Sequence, residues 1–157
     1  MSMRSFNKGE VICLEGDPGD CMFIIEGGKA GVFEDYGKPS EKKVTDLGVG
    51  AMFGEMSLLD HEPRSATVVA MEDDTALQVI SEENFRDFFE KSPQTAMKLA
   101  EQMSHRLRIV TKEYYEACRT VYDAVEVEKR GGKKSERLME RIKKLCSVHL
   151  NSRKAEA

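Results

Sequence analysis

Between residue 9 and about residue 80 the chain alternates short apolar stretches with clusters of Gly, Pro and Asp. "EVICLEG" is followed by "DPGD", then by "CMFIIEGG" and "KAGVFE". "DYGKPS", "KKVTDLGVGA", "SATVVAM" and "ALQVIS" continue the alternation. Apolar runs of this length, bounded by turn residues, predict β-strands, and their close succession predicts a small β-sandwich or barrel. Gly16, Gly19, Gly27, Gly28, Gly37, Gly48 and Gly50 stand where the chain is expected to reverse.

After residue 81 the period changes. "SEENFRDFFEKSP" predicts a short helix, with Ser81 as N-cap and Pro93 past its end. A long helix is expected from Gln94 to Arg130, where Gly131 and Gly132 break it. Its apolar positions Ala96, Ala100, Met103, Leu107, Val110, Tyr114, Ala117, Val121 and Ala124 are spaced alternately by 4 and 3 residues. That is an uninterrupted heptad seam. The N-terminal third of the helix is expected to lie on the β-body. The remainder calls for a partner helix, and a second copy of the chain, as a parallel homodimer through residues 96–124, is the simplest one. "KKSERLMERIKKLCSVHL" predicts a last amphipathic helix with Leu138, Ile142 and Leu145 on one face, too short to be stable without a docking surface. The expected organisation is therefore a β-rich region over 1–92, a long helix over 93–130 and a basic tail over 131–157.

Composition and charge narrow the classes. At 157 residues the chain has room for one domain and an appendage. Its apolar runs, such as "MFII", are too short to span a bilayer. "MSMRSFNKGE" has no apolar segment of a secretory leader, so a cytoplasmic location is expected, with the four cysteines reduced. Residues 1–127 hold 14 Lys/Arg against 24 Asp/Glu, a balance of −10, whereas residues 128–157 hold 10 against 4, a balance of +6. Nothing in the acidic body could track a phosphate backbone, so no nucleic-acid partner is expected. The basic tail reads as a solvated end, with an acidic partner as the alternative. His61, His105 and His149 are far apart, and no nucleophile is paired with a base, so neither a metal site nor an enzyme is expected.

One stretch resists a purely structural reading. "FGEMSLLDHEPRSATV", residues 53–68, looks buried yet carries Glu55 and Arg64. Buried charges are costly unless they are paired or hydrogen-bonded. Either the two satisfy each other, or they await a ligand with both a hydroxyl and a phosphate. "GEMSLLD" has helical spacing for about a turn and a half, and its free N–H groups would suit an anion. Arg64 would add a bidentate clamp and Glu55 would accept from ribose hydroxyls.

This stretch resembles the phosphate-binding cassette of cyclic-nucleotide-binding domains, the family found in catabolite activator proteins, regulatory subunits of cAMP-dependent kinase and cyclic-nucleotide-gated channels. "NKGEVICLEGDPGDCMFIIEGGKAGVF" is similar to the family's first strands. The resemblance runs from about Phe6 to Val110. It implies an α+β fold: a β-jelly-roll barrel with a short phosphate-binding helix, followed by a long C-terminal helix. It further implies that Gly54 and Glu55 hold the ribose 2′-hydroxyl, that Arg64 pairs with the cyclic phosphate, and that Ser65 and Ala66 add donors. Met56 and Ser57 would contribute N–H groups, and Thr111, on the long helix, would meet the purine. Family members selective for cGMP often have Thr after the arginine; Ser65 favours cAMP, with cGMP left open. If the chain is whole, the residues after Gly132 are too few for a winged helix-turn-helix, and the effector is another, unidentified protein. The alternative is a dimerisation scaffold that keeps the fold and binds no nucleotide.

Overall fold

The structure of the protein, a computed structural model, describes residues 2–129. The predicted tail helix with Leu138, Ile142 and Leu145 lies outside the described residues, as do Cys146 and His149. The chain divides into two compact units, Met1–Gln102 and Met103–Ala157.

The first unit holds eight strands: β1 (Ser2–Phe6), β2 (Val11–Cys13), β3 (Cys21–Gly27), β4 (Ala30–Glu34), β5 (Lys42–Leu47), β6 (Met52–Phe53), β7 (Thr67–Ala70) and β8 (Thr75–Ser81). They form two antiparallel four-stranded sheets, ordered β1-β8-β3-β6 and β2-β7-β4-β5. This is the double-sheet architecture of a jelly roll, and with its helices it is the expected α+β fold. Among the described residues three helices follow or interrupt the strands: α1 (Glu55–Asp60), α2 (Glu82–Lys91) and α3 (Pro93–Lys129).

β3 explains why "CMFIIEG" reads as a continuous apolar run rather than an alternating one. Successive side chains of a strand point to opposite faces, and here both faces are covered. Phe23 and Ile25 point inward to Ala30, Leu47 and Val68 of the other sheet, with Phe53, Leu77 and Val79 beside them. Met22 and Ile24 point outward, where Met52, Ile80, Leu58 of α1, Phe88 of α2 and Leu99 of α3 form a second core. One sheet therefore separates two apolar layers, and the helices are fastened to its outer side.

Two expectations needed revision. The strands begin at Ser2, not near residue 9: β1 pairs with β8 from Ser2 opposite Val79 to Phe6 opposite Thr75. "SMRSF" gives no sign of this because residues 2–5 are exposed on both faces, so the β8 ladder alone makes the strand. The long helix begins one residue before the expected Gln94: Pro93 lies past the end of α2, as expected, and also opens α3, the position where its missing N–H costs nothing. Ser81 does precede α2 in an extended conformation, but its side chain makes no cap; its Oγ accepts from Asn84 Nδ2 at 2.8 Å.

Within the first unit α3 docks through Leu99, which is buried, while Ala100 of the heptad seam is exposed. The seam and the docking face are thus different sides of the helix. In the second unit the seam residues Leu107, Val110, Tyr114 and Val121 are exposed, and Ala124 is buried.

The two-layer arrangement makes Leu77, which is fully buried in the inter-sheet layer, intolerant of truncation. Leu77→Ala should lower stability by about 2–5 kcal/mol, measured by urea denaturation followed by circular dichroism.

Candidate functional site

The Gly54–Ala66 loop joins β6 to β7. Gly54 is the N-cap of α1 and adopts φ 78°, a left-handed conformation that favours glycine. Space also requires glycine there: a Cβ at Gly54 would lie 2.6 Å from Arg64 Nη1 and 3.3 Å from the Cys21 carbonyl oxygen. α1 runs for six residues and ends at His61, whose left-handed backbone (φ 60°) donates its N–H to the Ser57 carbonyl at 3.1 Å. The predicted length of this helix, about a turn and a half, matches what is observed.

Arg64 is buried, with 6 % of its surface exposed, and Glu55 with 2 %. The guanidinium is held by backbone carbonyls. Its Nη1 donates to the Gly54 carbonyl at 2.8 Å and its Nη2 to the Cys21 carbonyl at 2.7 Å, with Cys21 Sγ at 3.6 Å from Nη2. The Phe23 ring lies beneath it, 5.9 Å from Cζ to the ring centroid, so a cation–π contact adds to the hydrogen bonds. The Arg64 backbone is fixed as well: its N–H donates to the Asp17 carbonyl at 2.8 Å, and its carbonyl accepts from Gly16 N–H at 2.9 Å. Among the described residues no buried side-chain nitrogen or oxygen lacks a hydrogen-bond partner.

The "DPGD" turn is thus part of this site and not merely a reversal. Gly19 was expected to serve a chain reversal; its backbone is not in the left-handed region, and the need for glycine is steric. A Cβ there would lie 2.5 Å from Ser57 Cβ and 2.7 Å from Arg64 Cζ. Sequence reasoning missed Gly19, Cys21 and Phe23 as neighbours of Arg64, because each is distant in the chain and reads as turn or strand. The charge of this cation acts on two thiols. Burial pushes Cys13 and Cys21 above the ordinary thiol value of 9.0, the Arg64 charge opposing it in both and the neighbouring Asp20 adding to it in Cys21. Both are therefore protonated, neutral neighbours at neutral pH.

Gly54, Glu55, Ser57 and Arg64 come together around the start of α1, with Ser57 buried beside Gly19. Ser65 and Met56 are exposed and adjacent, Ser65 Oγ lying 3.9 Å from Met56 Sδ, and Ala66 is half-buried. Thr111 is an exposed residue of α3 in the second unit. No cluster of three or more His, Cys, Asp or Glu able to hold a metal is found among the described residues. No helix among them is long and apolar enough to cross a membrane.

A sequence model of the cyclic nucleotide-binding domain matches residues 3–92, more than half of the chain, and the chain belongs to that family. It is 36 % identical over 105 residues to a cyclic AMP receptor protein of Thermus thermophilus, covering 67 % of this chain and 48 % of that one. It is also 36 % identical over 87 residues to a cGMP-dependent protein kinase of Toxoplasma gondii, covering 55 % of this chain and 8 % of the kinase. Among solved structures, the Thermus thermophilus catabolite activator protein superposes with a TM-score of 0.66 at 31 % identity, over 83 % of this chain and 64 % of that one. The chain spans about half the length of the receptor protein and a small part of the kinase.

The crowding at Gly19 can be checked directly. Gly19→Ala should lower stability by about 1–3 kcal/mol in urea denaturation, as overpacking does. Gly48→Ala is the control: a Cβ there meets nothing within 4 Å, and its effect should be neutral or slightly stabilising.

Proposed function

We propose that this chain is a cyclic-nucleotide sensor domain, with cAMP preferred over cGMP, that reports occupancy through α3. The observation that carries the reading is the state of Arg64. Its two hydrogen-bonded oxygen partners are neutral carbonyls, so its charge is positioned without being cancelled. A guanidinium has five N–H donors. Two serve the carbonyls and one faces the Cys21 sulfur, which leaves two for the oxygens of a phosphate.

In this reading Arg64 and the N–H groups of Met56 and Ser57 take the cyclic phosphate, with Ser65 and Ala66 adding donors. Gly54 and Glu55 take the ribose 2′-hydroxyl. Thr111 meets the purine, so that α3 serves as a lid. Membership of the family and the names of the relatives, a cyclic AMP receptor and a cGMP-dependent kinase, support a cyclic nucleotide as the ligand. Ser65, in place of the Thr often found in cGMP-selective members, supports cAMP. The role is regulatory rather than catalytic, in a cytoplasmic setting. Residues 1–92 would bind, residues 93–130 would act as lid and dimer contact, and an effector protein would read the result. The bias on α3 is bounded by the difference in nucleotide affinity between its two positions.

Calorimetric titration with cAMP and then cGMP tests the reading. Arg64→Ala should weaken binding by about 2–5 kcal/mol, the range for removing one partner of a desolvated charge pair. Circular dichroism must show the variant folded. Unchanged affinity in a folded Arg64→Ala chain, or no heat in nucleotide-free wild type, rejects it in favour of a non-binding scaffold.

The exposed seam of Leu107, Val110 and Tyr114 supports a homodimer through α3. Sedimentation should give a dimer at micromolar concentration, and Leu107→Glu should convert it to a monomer. A wild-type monomer with and without nucleotide rejects the dimer.

A further inference from the structure

β6 ends the strand order β1-β8-β3-β6, so one of its edges faces no strand among the described residues. A side chain meets that edge instead. Gln102 of α3 is half-buried; its Oε1 accepts from Met52 N–H at 3.0 Å and its Nε2 donates to the Gly50 carbonyl at 2.9 Å. Gly50 lies in the turn that leads into β6, and Met52 opens the strand. The carbonyl of the first and the N–H of the second are presented to the same side, as the carbonyl of one residue and the N–H two residues later are along a strand edge. A parallel neighbour would satisfy both from a single residue. The Gln102 carboxamide, which has an acceptor oxygen and a donor nitrogen, takes that neighbour's place.

The other side of the same segment is fixed to β3. Gly50 N–H donates to the Ile25 carbonyl at 2.8 Å, and Ile25 N–H donates to the Ala51 carbonyl at 3.0 Å. Two residues beyond Met52 the chain reaches Gly54, whose carbonyl holds Arg64. Leu99, one turn before Gln102 on the same side of α3, is buried in the cluster that contains Met52 and Leu58 of α1. The apolar contact at Leu99 is non-directional and tolerates sliding. The two hydrogen bonds of Gln102 are directional and fix a register.

We propose that Gln102 is a positioning residue: its carboxamide registers residues 93–102 of α3 to β6, the strand that leads directly into Gly54 and Glu55. A displacement of that strand when ligand occupies the loop is then passed to α3. The proposal rests on the nucleotide-binding reading above. Leucine at this position keeps the bulk and loses both bonds. Glutamate keeps an acceptor for Met52 N–H but sets a carboxylate oxygen against the Gly50 carbonyl.

Amide hydrogen exchange of the full chain, free and saturated with cAMP, tests this in wild type, Gln102→Leu and Gln102→Glu. In the free protein, Met52 N–H should exchange about tenfold faster in Gln102→Leu than in wild type, as for the loss of a local tether. Nucleotide should alter exchange across residues 93–102 of wild type by at least about threefold. Gln102→Leu should still bind within about tenfold of wild type yet lose that response, and Gln102→Glu should retain part of it. A full response in Gln102→Leu overturns the proposal and leaves the nucleotide reading standing, as does wild type that binds without any change over 93–102. Wild type that binds neither nucleotide overturns both. If Gln102→Leu does not fold, Gln102→Glu decides: an undiminished response overturns the proposal, a reduced one supports it.

Discussion

The local architecture turns on a buried guanidinium held by backbone carbonyls. Arg64 reaches back across the loop to the carbonyls of Gly54 and Cys21, and its own backbone is bonded to Gly16 and Asp17. Three separate segments, the turn before β3, the end of β6 and the loop after α1, therefore meet on one residue. Burying a cation costs several kcal/mol unless its donors are satisfied, about 2–7 kcal/mol for even a neutral polar group. Here the carbonyls and the Phe23 ring meet part of that demand. Two glycines make it possible, because a methyl group at Gly19 or Gly54 would occupy the guanidinium's place.

Everything above that cation is held by the outer core of one sheet. Met22 and Ile24 of β3 share this layer with Leu58 of α1, Phe88 of α2 and Leu99 of α3. The loop and the first part of the long helix are thus neighbours in one packed cluster rather than separate attachments. Close-packed interiors have few voids, so a shift of α1 must be accommodated by the same side chains that seat α3. The core between the sheets contains none of these helical residues and can stay unchanged while the outer one adjusts.

The heptad seam and the docking face of α3 are not the same set of residues. Within the first unit Leu99 and Gln102 fasten α3 to the body while Ala100 of the seam is exposed, and in the second unit the seam residues Leu107, Val110 and Tyr114 are exposed. A strict 3.5 period records only that some surface is to be covered. It does not say which residues already have a partner.

Local chemistry made much of this readable. The turn residues, the apolar runs and the change of period after residue 81 mark most strands and helices, because strand and helix impose periods of 2 and 3.6 on any chain. The spacing of Gly54, Glu55 and Arg64 singled out the loop, because buried charges in an apolar stretch demand an explanation. The exceptions have a common cause. β1 exists through its ladder to β8, Gly19 is needed by a side chain far along the chain, and Gln102 serves as a strand neighbour for residues about fifty positions earlier. Sequence by itself determined most of the elements and the identity of the two charges, since these follow from neighbours along the chain. Only the tertiary structure decided what surrounds Arg64 and what caps β6, since hydrogen bonds and steric contact act through space and leave no period in the sequence.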